Sequence, residues 1–114
     1  MDVSSYSFGR LIVDGDVYTS DVIITPEKVI DSWRQKEGHR LDKTDLDVIL
    51  KAKPDCLVVG TGYYGRMNVP SETIQYLESK NIQIESAPTK DAIDKFGKLQ
   101  QKYARIVAAL HLTC

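Results

Sequence analysis

The spacing of apolar residues divides the chain into a β-rich first part and an alternating second part. Phe8 to Val13 reads as a strand, and Asp14-Gly15 after it suits the two-residue turn whose central residues both take positive φ. Asp16 to Tyr18 and Asp21 to Ile24 read as the returning chain, broken at Thr19-Ser20 and ended by Pro26. Val29 to Arg34 is ambiguous. Val29, Ile30 and Trp33 fit helical spacing, but the stretch from Thr25 to Gly38 has weak caps, and an extended reading is adopted. Gly38-His39 reads as a turn.

The second part alternates strand and helix. Lys43 to Lys53 reads as a short helix with Thr44 as N-cap, Asp45 and Asp47 in its first turn, and Leu46, Ile49 and Leu50 as its buried stripe. Pro54 ends it. Cys56 to Val59 is a continuous apolar run, as expected of a strand covered on both faces. Pro70 to Lys80 reads as a helix with Ile74 and Leu77 inward, Ile82 to Ser86 as a strand, and Thr89 to Tyr103 as a helix. That last helix takes Thr89 as its cap and carries Ala92, Ile93, Phe96 and Leu99 on one face. Ile106 to Leu112 is the final strand. This order is the signature of right-handed crossovers in a parallel sheet. The expected fold is α/β and three-layered: a central, mostly parallel sheet with helices, and an N-terminal hairpin at its edge or in a second small sheet.

Length and composition fit this picture. The 114 residues suit a single domain over 1–114, able to bury a core without disulfides or metal. Fifteen basic residues against sixteen acidic ones give a net charge of −1, which argues against strong non-specific nucleic-acid binding. Cys56 and Cys114 form neither a metal-ligand spacing nor a disulfide framework. No signal-peptide or transit pattern is read at the start, and the longest apolar run, Ile106 to Leu110, is too short for a bilayer. A cytoplasmic location without membrane partners is the expectation, and no cofactor or metal site is read.

One loop stands out. Gly60-Thr61-Gly62-Tyr63-Tyr64-Gly65 matches G-x-G-x-x-G directly after a strand, and Glu85 follows near the spacing of an acidic ribose ligand. The dinucleotide reading fails on Pro70. In the fingerprint a helix begins within the glycines and points its free N–H groups at the pyrophosphate. A helix begun at Gly62 would carry Pro70 inside it, at a cost of about 3 kcal/mol. The loop must therefore run on through Arg66-Met67-Asn68. A P-loop is excluded because no Gly-Lys-Ser/Thr follows.

Two readings of the loop stay open. In a parallel sheet ligands sit beyond the carboxyl ends of strands. The exits Gly60-Thr61-Gly62, Ala87-Pro88-Thr89 and Thr113-Cys114 would then gather Gly60, Thr61, Gly62, Arg66 and Thr89 into a donor-rich edge suited to a small anion, against the plainer reading of a tight turn with capping threonines. Tyr63 and Tyr64 beside Arg66 instead have the composition of a protein-contact surface. Elsewhere the residues read as structural. His111 shares a strand face with Val107 and Ala109 and is expected to be a hydrogen-bonded core histidine; His39 sits in a turn; Trp33 is assigned to the core. Asp91 and Lys95 lie at helical pair spacing on a solvated face. His111 and Cys114, three apart on a strand, point to opposite faces and cannot pair directly.

Phe8-Gly9, Asp14-Gly15, Tyr18, Trp33-Arg34, Gly38-His39, Gly60-Thr61-Gly62 and the closing run from Ala108 to Cys114 carry a resemblance over nearly the whole chain. The sequence is similar to a small three-layer α/β domain family, the Mth-type domain, found in archaea, bacteria and eukaryotes. The family includes a mitochondrial respiratory complex I assembly factor and an adipogenesis-associated protein. The resemblance implies a central mixed sheet, with one strand antiparallel to the rest, and no established catalytic activity. It assigns no catalytic residue. The sequence thus leaves open whether any reaction is catalysed, and its first functional reading is a protein-binding or assembly module presenting residues 60–66. The second is the anion or metabolite site.

Overall fold

Short amphipathic strands build the first third of the molecule, in a computed structural model that describes residues 2–36 and 39–113. Strand β1 (Val3–Ser7), β2 (Arg10–Val13) and β3 (Asp16–Tyr18) form an antiparallel sheet in that order. Asp14 and Gly15 make the turn between β2 and β3 with φ of 49° and 85°, as their sequence requires. The strand expected over Phe8 to Val13 is shorter at its start: Phe8-Gly9 is itself a turn, closed by the pair Ser7 and Arg10, and β1 lies before it. A bulge at Ser4 places both Val3 and Tyr6 against the core, so β1 lacks the alternation that would announce it.

The larger sheet has five strands: β4 (Val22–Ile24), β5 (Val29–Ile30), β6 (Cys56–Thr61), β7 (Gln83–Ala87) and β8 (Ile106–His111). Their order is β5-β4-β8-β6-β7, with β8, β6 and β7 parallel and β4 antiparallel to β8. The sheet is therefore mixed, and the extended stretch expected over Val29 to Arg34 contributes only Val29 and Ile30 to it. β6 and β8 are buried at every position, which their unbroken apolar runs require.

Among the described residues, three α-helices complete the layers: α1 (Asp47–Lys51), α2 (Ser71–Ser79) and α3 (Thr89–Leu99). On one face of the large sheet, α3 and the small sheet bury Leu11, Val13, Ala92 and Phe96 against Val58, Ala108 and Leu110. On the other face, α1 and α2 bury Ile49 and Leu77 with Trp33, Leu41 and Met67 against Leu57, Val59 and Val107.

Several local expectations change. The helix expected over Lys43 to Lys53 is a 3-10 turn, Lys43–Leu46, followed by α1. Its cap is Asp42 rather than Thr44: Asp45 Oδ2 accepts the Asp42 N–H at 2.9 Å, and Thr44 spends its hydroxyl on Asp42. Helix α3 stops at Leu99, short of Tyr103, and Pro88 rather than Thr89 occupies its cap position. Lys95 pairs across to Glu85 at 3.7 Å rather than with Asp91. Trp33 is buried as expected, and His111 is a core histidine whose Nδ1 lies 2.5 Å from Asp21 Oδ2. The expected turn at Gly38-His39 and the role of Cys114 fall on Gly38 and Cys114, outside the described residues.

Candidate functional site

The exits of β6, β7 and β8 meet on one edge, because the one antiparallel neighbour, β4, lies beyond β8 and leaves these three strands parallel. Thr61 stands opposite His111, and Gly60 opposite Ala87. After Gly62 the chain makes the loop that the dinucleotide reading could not accommodate, running to Pro70, where α2 begins.

Hydrogen bonds tie this loop to all three exits. The Gly62 carbonyl accepts the N–H of Gly65 at 3.1 Å and of Thr89 at 3.0 Å. The Thr61 carbonyl accepts the Met67 N–H at 2.9 Å, and the Tyr63 N–H donates to the Thr113 carbonyl at 3.3 Å. Gly62 and Gly65 have φ of 110° and 69°, which a side chain would resist. Gly60 serves a different need. A Cβ there would meet Thr89 Oγ1 at 2.8 Å and Leu110 Cδ2 at 2.9 Å, so glycine lets α3 approach the sheet.

Thr89 is buried, and its hydroxyl is committed twice. Oγ1 accepts the Gly62 N–H at 2.9 Å and donates to the His111 carbonyl at 2.5 Å. Asp21 holds the neighbouring end of β8, accepting the Leu112 N–H at 2.8 Å beside its contact with His111. Of the residues expected at the site, Gly60, Thr61, Gly62 and Thr89 are thus gathered together, but as the frame of the edge.

Tyr63, Tyr64 and Arg66 face outward from that frame. The two tyrosine rings meet edge to face, their centroids 5.0 Å apart, and the Arg66 guanidinium lies 5.4 Å from the centre of Tyr64. The sequence reading missed a fourth member. Phe8, at the tip of the β1–β2 hairpin, stands edge-on to Tyr63 at 5.6 Å and tilted to Tyr64 at 6.2 Å. The hairpin tip is fixed there by the Gly9 N–H, which donates to the Leu112 carbonyl at 3.0 Å. Beneath the rings, Tyr6 contacts Tyr63 and donates its hydroxyl to the Leu112 carbonyl at 2.9 Å. Burial pushes the Tyr6 phenol up to about 12. Among the described residues the exposed large hydrophobic side chains are Phe8, Val17, Tyr63 and Tyr64, at 54, 52, 48 and 64% exposure. Three of these four form the one cluster.

Candidates for chemistry are sparse. Cys56 is buried in the core, and burial pushes its thiol up to about 11, leaving it protonated and unreactive at neutral pH. No group of three or more His, Cys, Asp or Glu among the described residues could hold a metal ion. No described helix is long and apolar enough to cross a membrane.

The three-layer arrangement, with its mixed sheet and separate antiparallel sheet, defines a small α/β domain that solved structures share. A conserved hypothetical protein from Pyrococcus horikoshii OT3 is 28% identical, with a TM-score of 0.85 and complete coverage of both chains. The structure named MT938 superposes with a TM-score of 0.80 at 23% identity, over 99% of this chain and 98% of that one. A Bordetella pertussis protein described as a Mth938-like domain has a TM-score of 0.73 at 18% identity, over 97% and 85%. These last two establish likeness of fold alone. The chain belongs to the family described as protein of unknown function (DUF498/DUF598), whose family model matches residues 3–111.

Proposed function

We propose that this domain is a protein-binding module, and that Phe8, Tyr63, Tyr64 and Arg66 are its contact surface. The observation that carries this is the gathering of three exposed aromatic rings from two loops far apart in sequence. Large exposed apolar groups cost little singly, but a contiguous patch rimmed by a cation has the composition of a contact hot spot. The frame beneath holds the rings in place before any partner arrives, which lowers the ordering cost of binding. The complex I assembly factor in the resembling family is consistent with this reading by analogy alone.

A second reading, a small-anion site at the same edge, draws on Arg66, which makes no ion pair among the described residues. It is the weaker one. The Gly62 N–H and the Thr89 hydroxyl, its best donors, are already bonded to each other.

Affinity capture with the wild-type domain and with a Phe8→Ala, Tyr63→Ala, Tyr64→Ala variant separates the two. The contact reading expects captured proteins to be lost with the triple variant while its melting temperature holds. Unchanged capture, together with stabilisation of the wild type by phosphate that Arg66→Ala abolishes, would favour the anion site.

A further inference from the structure

A groove of about 580 Å³ runs beside the aromatic cluster, along the whole of β1. One wall is Val3 to Ser7; the other is the α3 face bearing Lys90, Ile93 and Asp94; Tyr63 closes one end. β1 is the outer strand of the small sheet and, among the described residues, pairs only with β2, so alternate N–H and C=O groups along it point away from β2.

Exposed edges are ordinarily protected by shortness, charge or proline. The other free edges follow that rule. β3 has three residues and carries Asp16, β5 has two, and β7 carries Glu85. β1 has five residues, no charge and no proline, and only the bulge at Ser4 interrupts it. Among the described residues, the hydroxyls of Ser4, Ser5 and Ser7 make no hydrogen bond within the chain, and Lys90 and Asp94 make no ion pair.

We infer that β1 is a docking edge for an extended segment of a partner protein, which adds as a further strand in this groove and reaches the aromatic rings at its Tyr63 end. This deepens the contact reading above and rests on it. Strand addition takes affinity from main-chain hydrogen bonds and selectivity from alternate side chains. The occupant's charge follows from the wall. It carries an acidic residue opposite Lys90, near the Tyr63 end, and a basic one opposite Asp94, a turn further along α3. The wall also selects a bare segment over a second copy of this chain, because a second copy pairing through its own β1 would bring its own α3 wall into the space that α3 already bounds.

The test selects a display library of random peptides about nine residues long, which at roughly 3.4 Å per residue spans β1 and the rings. The most enriched peptide, fluorescently labelled, is the probe. Strand addition expects backbone N-methylation to weaken binding by about tenfold or more at every second position, with little effect between. It also expects Lys90→Glu to weaken the probe and an acid-to-base exchange in the peptide to restore it. Loss of binding with Tyr64→Ala but indifference to N-methylation and to Lys90→Glu would overturn strand addition and leave the aromatic contact standing. The alternating N-methylation pattern with no effect of Tyr64→Ala would do the reverse. Absence of any enriched peptide overturns the inference. So does a dimer in sedimentation that Ser5→Lys dissolves, since the edge would then belong to a second copy.

Discussion

Thr89 Oγ1 accepts the Gly62 amide hydrogen at 2.9 Å, so the first residue of α3 is fastened to the exit of β6 by a side chain rather than by the helix backbone alone. The same oxygen donates its own hydrogen to the His111 carbonyl, joining β8 to the arrangement. One buried hydroxyl thus holds three chain segments at the base of the aromatic surface.

Replacing Thr89 with valine keeps the volume and removes both bonds. Each buried group left unsatisfied costs roughly 1–3 kcal/mol. The expected result in urea unfolding is a lowered midpoint with an unchanged slope, and near-normal stability for Thr89→Ser. Equal stability of the valine variant would show that the hydroxyl is not a fastening.

Gly60→Ala tests the close approach of α3. Backbone strain is not at issue here; the obstacle is the 2.8 Å and 2.9 Å contacts that the new methyl would make with Thr89 and Leu110. Overpacking of this kind typically costs about 1–3 kcal/mol. The loss should be partly recovered when Leu110→Ala is added, measured as a double-mutant cycle.

Stability should fall in alkali. Burial raises the folded-state values of Cys56 to about 11 and of Tyr6 to about 12. Raised acids favour the protonated, folded form, so their contribution is complete below the unfolded values of about 8.5 and 10 and is lost as pH climbs through the folded ones. The urea midpoint should therefore decline from about pH 9 to 12. Cys56→Ala should flatten the lower part of that decline and Tyr6→Phe the upper part. In an ultraviolet titration of the folded protein Tyr6 should ionise late, and Tyr18, whose phenol is also raised, should be shifted in the same direction.

Much of this fold is written in local pattern, and the site is not. β6, α2, β7, α3 and β8 follow from apolar runs and periodicity, and the Asp14-Gly15 turn from its backbone chemistry. β1 escaped because Val3-Ser4-Ser5-Tyr6-Ser7 carries two apolar side chains separated by a bulge, which matches neither period. Thr89 looked like a helix cap because local sequence cannot show that strand register carries its hydroxyl to Gly62 and His111. Tyr63, Tyr64 and Arg66 could be suspected from composition. Phe8 could not, since its place depends on a hairpin docking onto the end of β8. The Phe8-Gly9 pair is a landmark of the family resemblance, but nothing in its local sequence shows where the hairpin tip docks.

Photo-crosslinking from the aromatic surface itself tests partner contact most directly. A photoreactive phenylalanine analogue at position 64 is compared with one at Val17, which is similarly exposed on β3 but makes no ring contact with the cluster. The expected result is a discrete crosslinked protein from position 64 that is absent from position 17 and is lost when Phe8→Ala and Tyr63→Ala are added. No crosslink from position 64, or the same crosslinks from both positions, would contradict it.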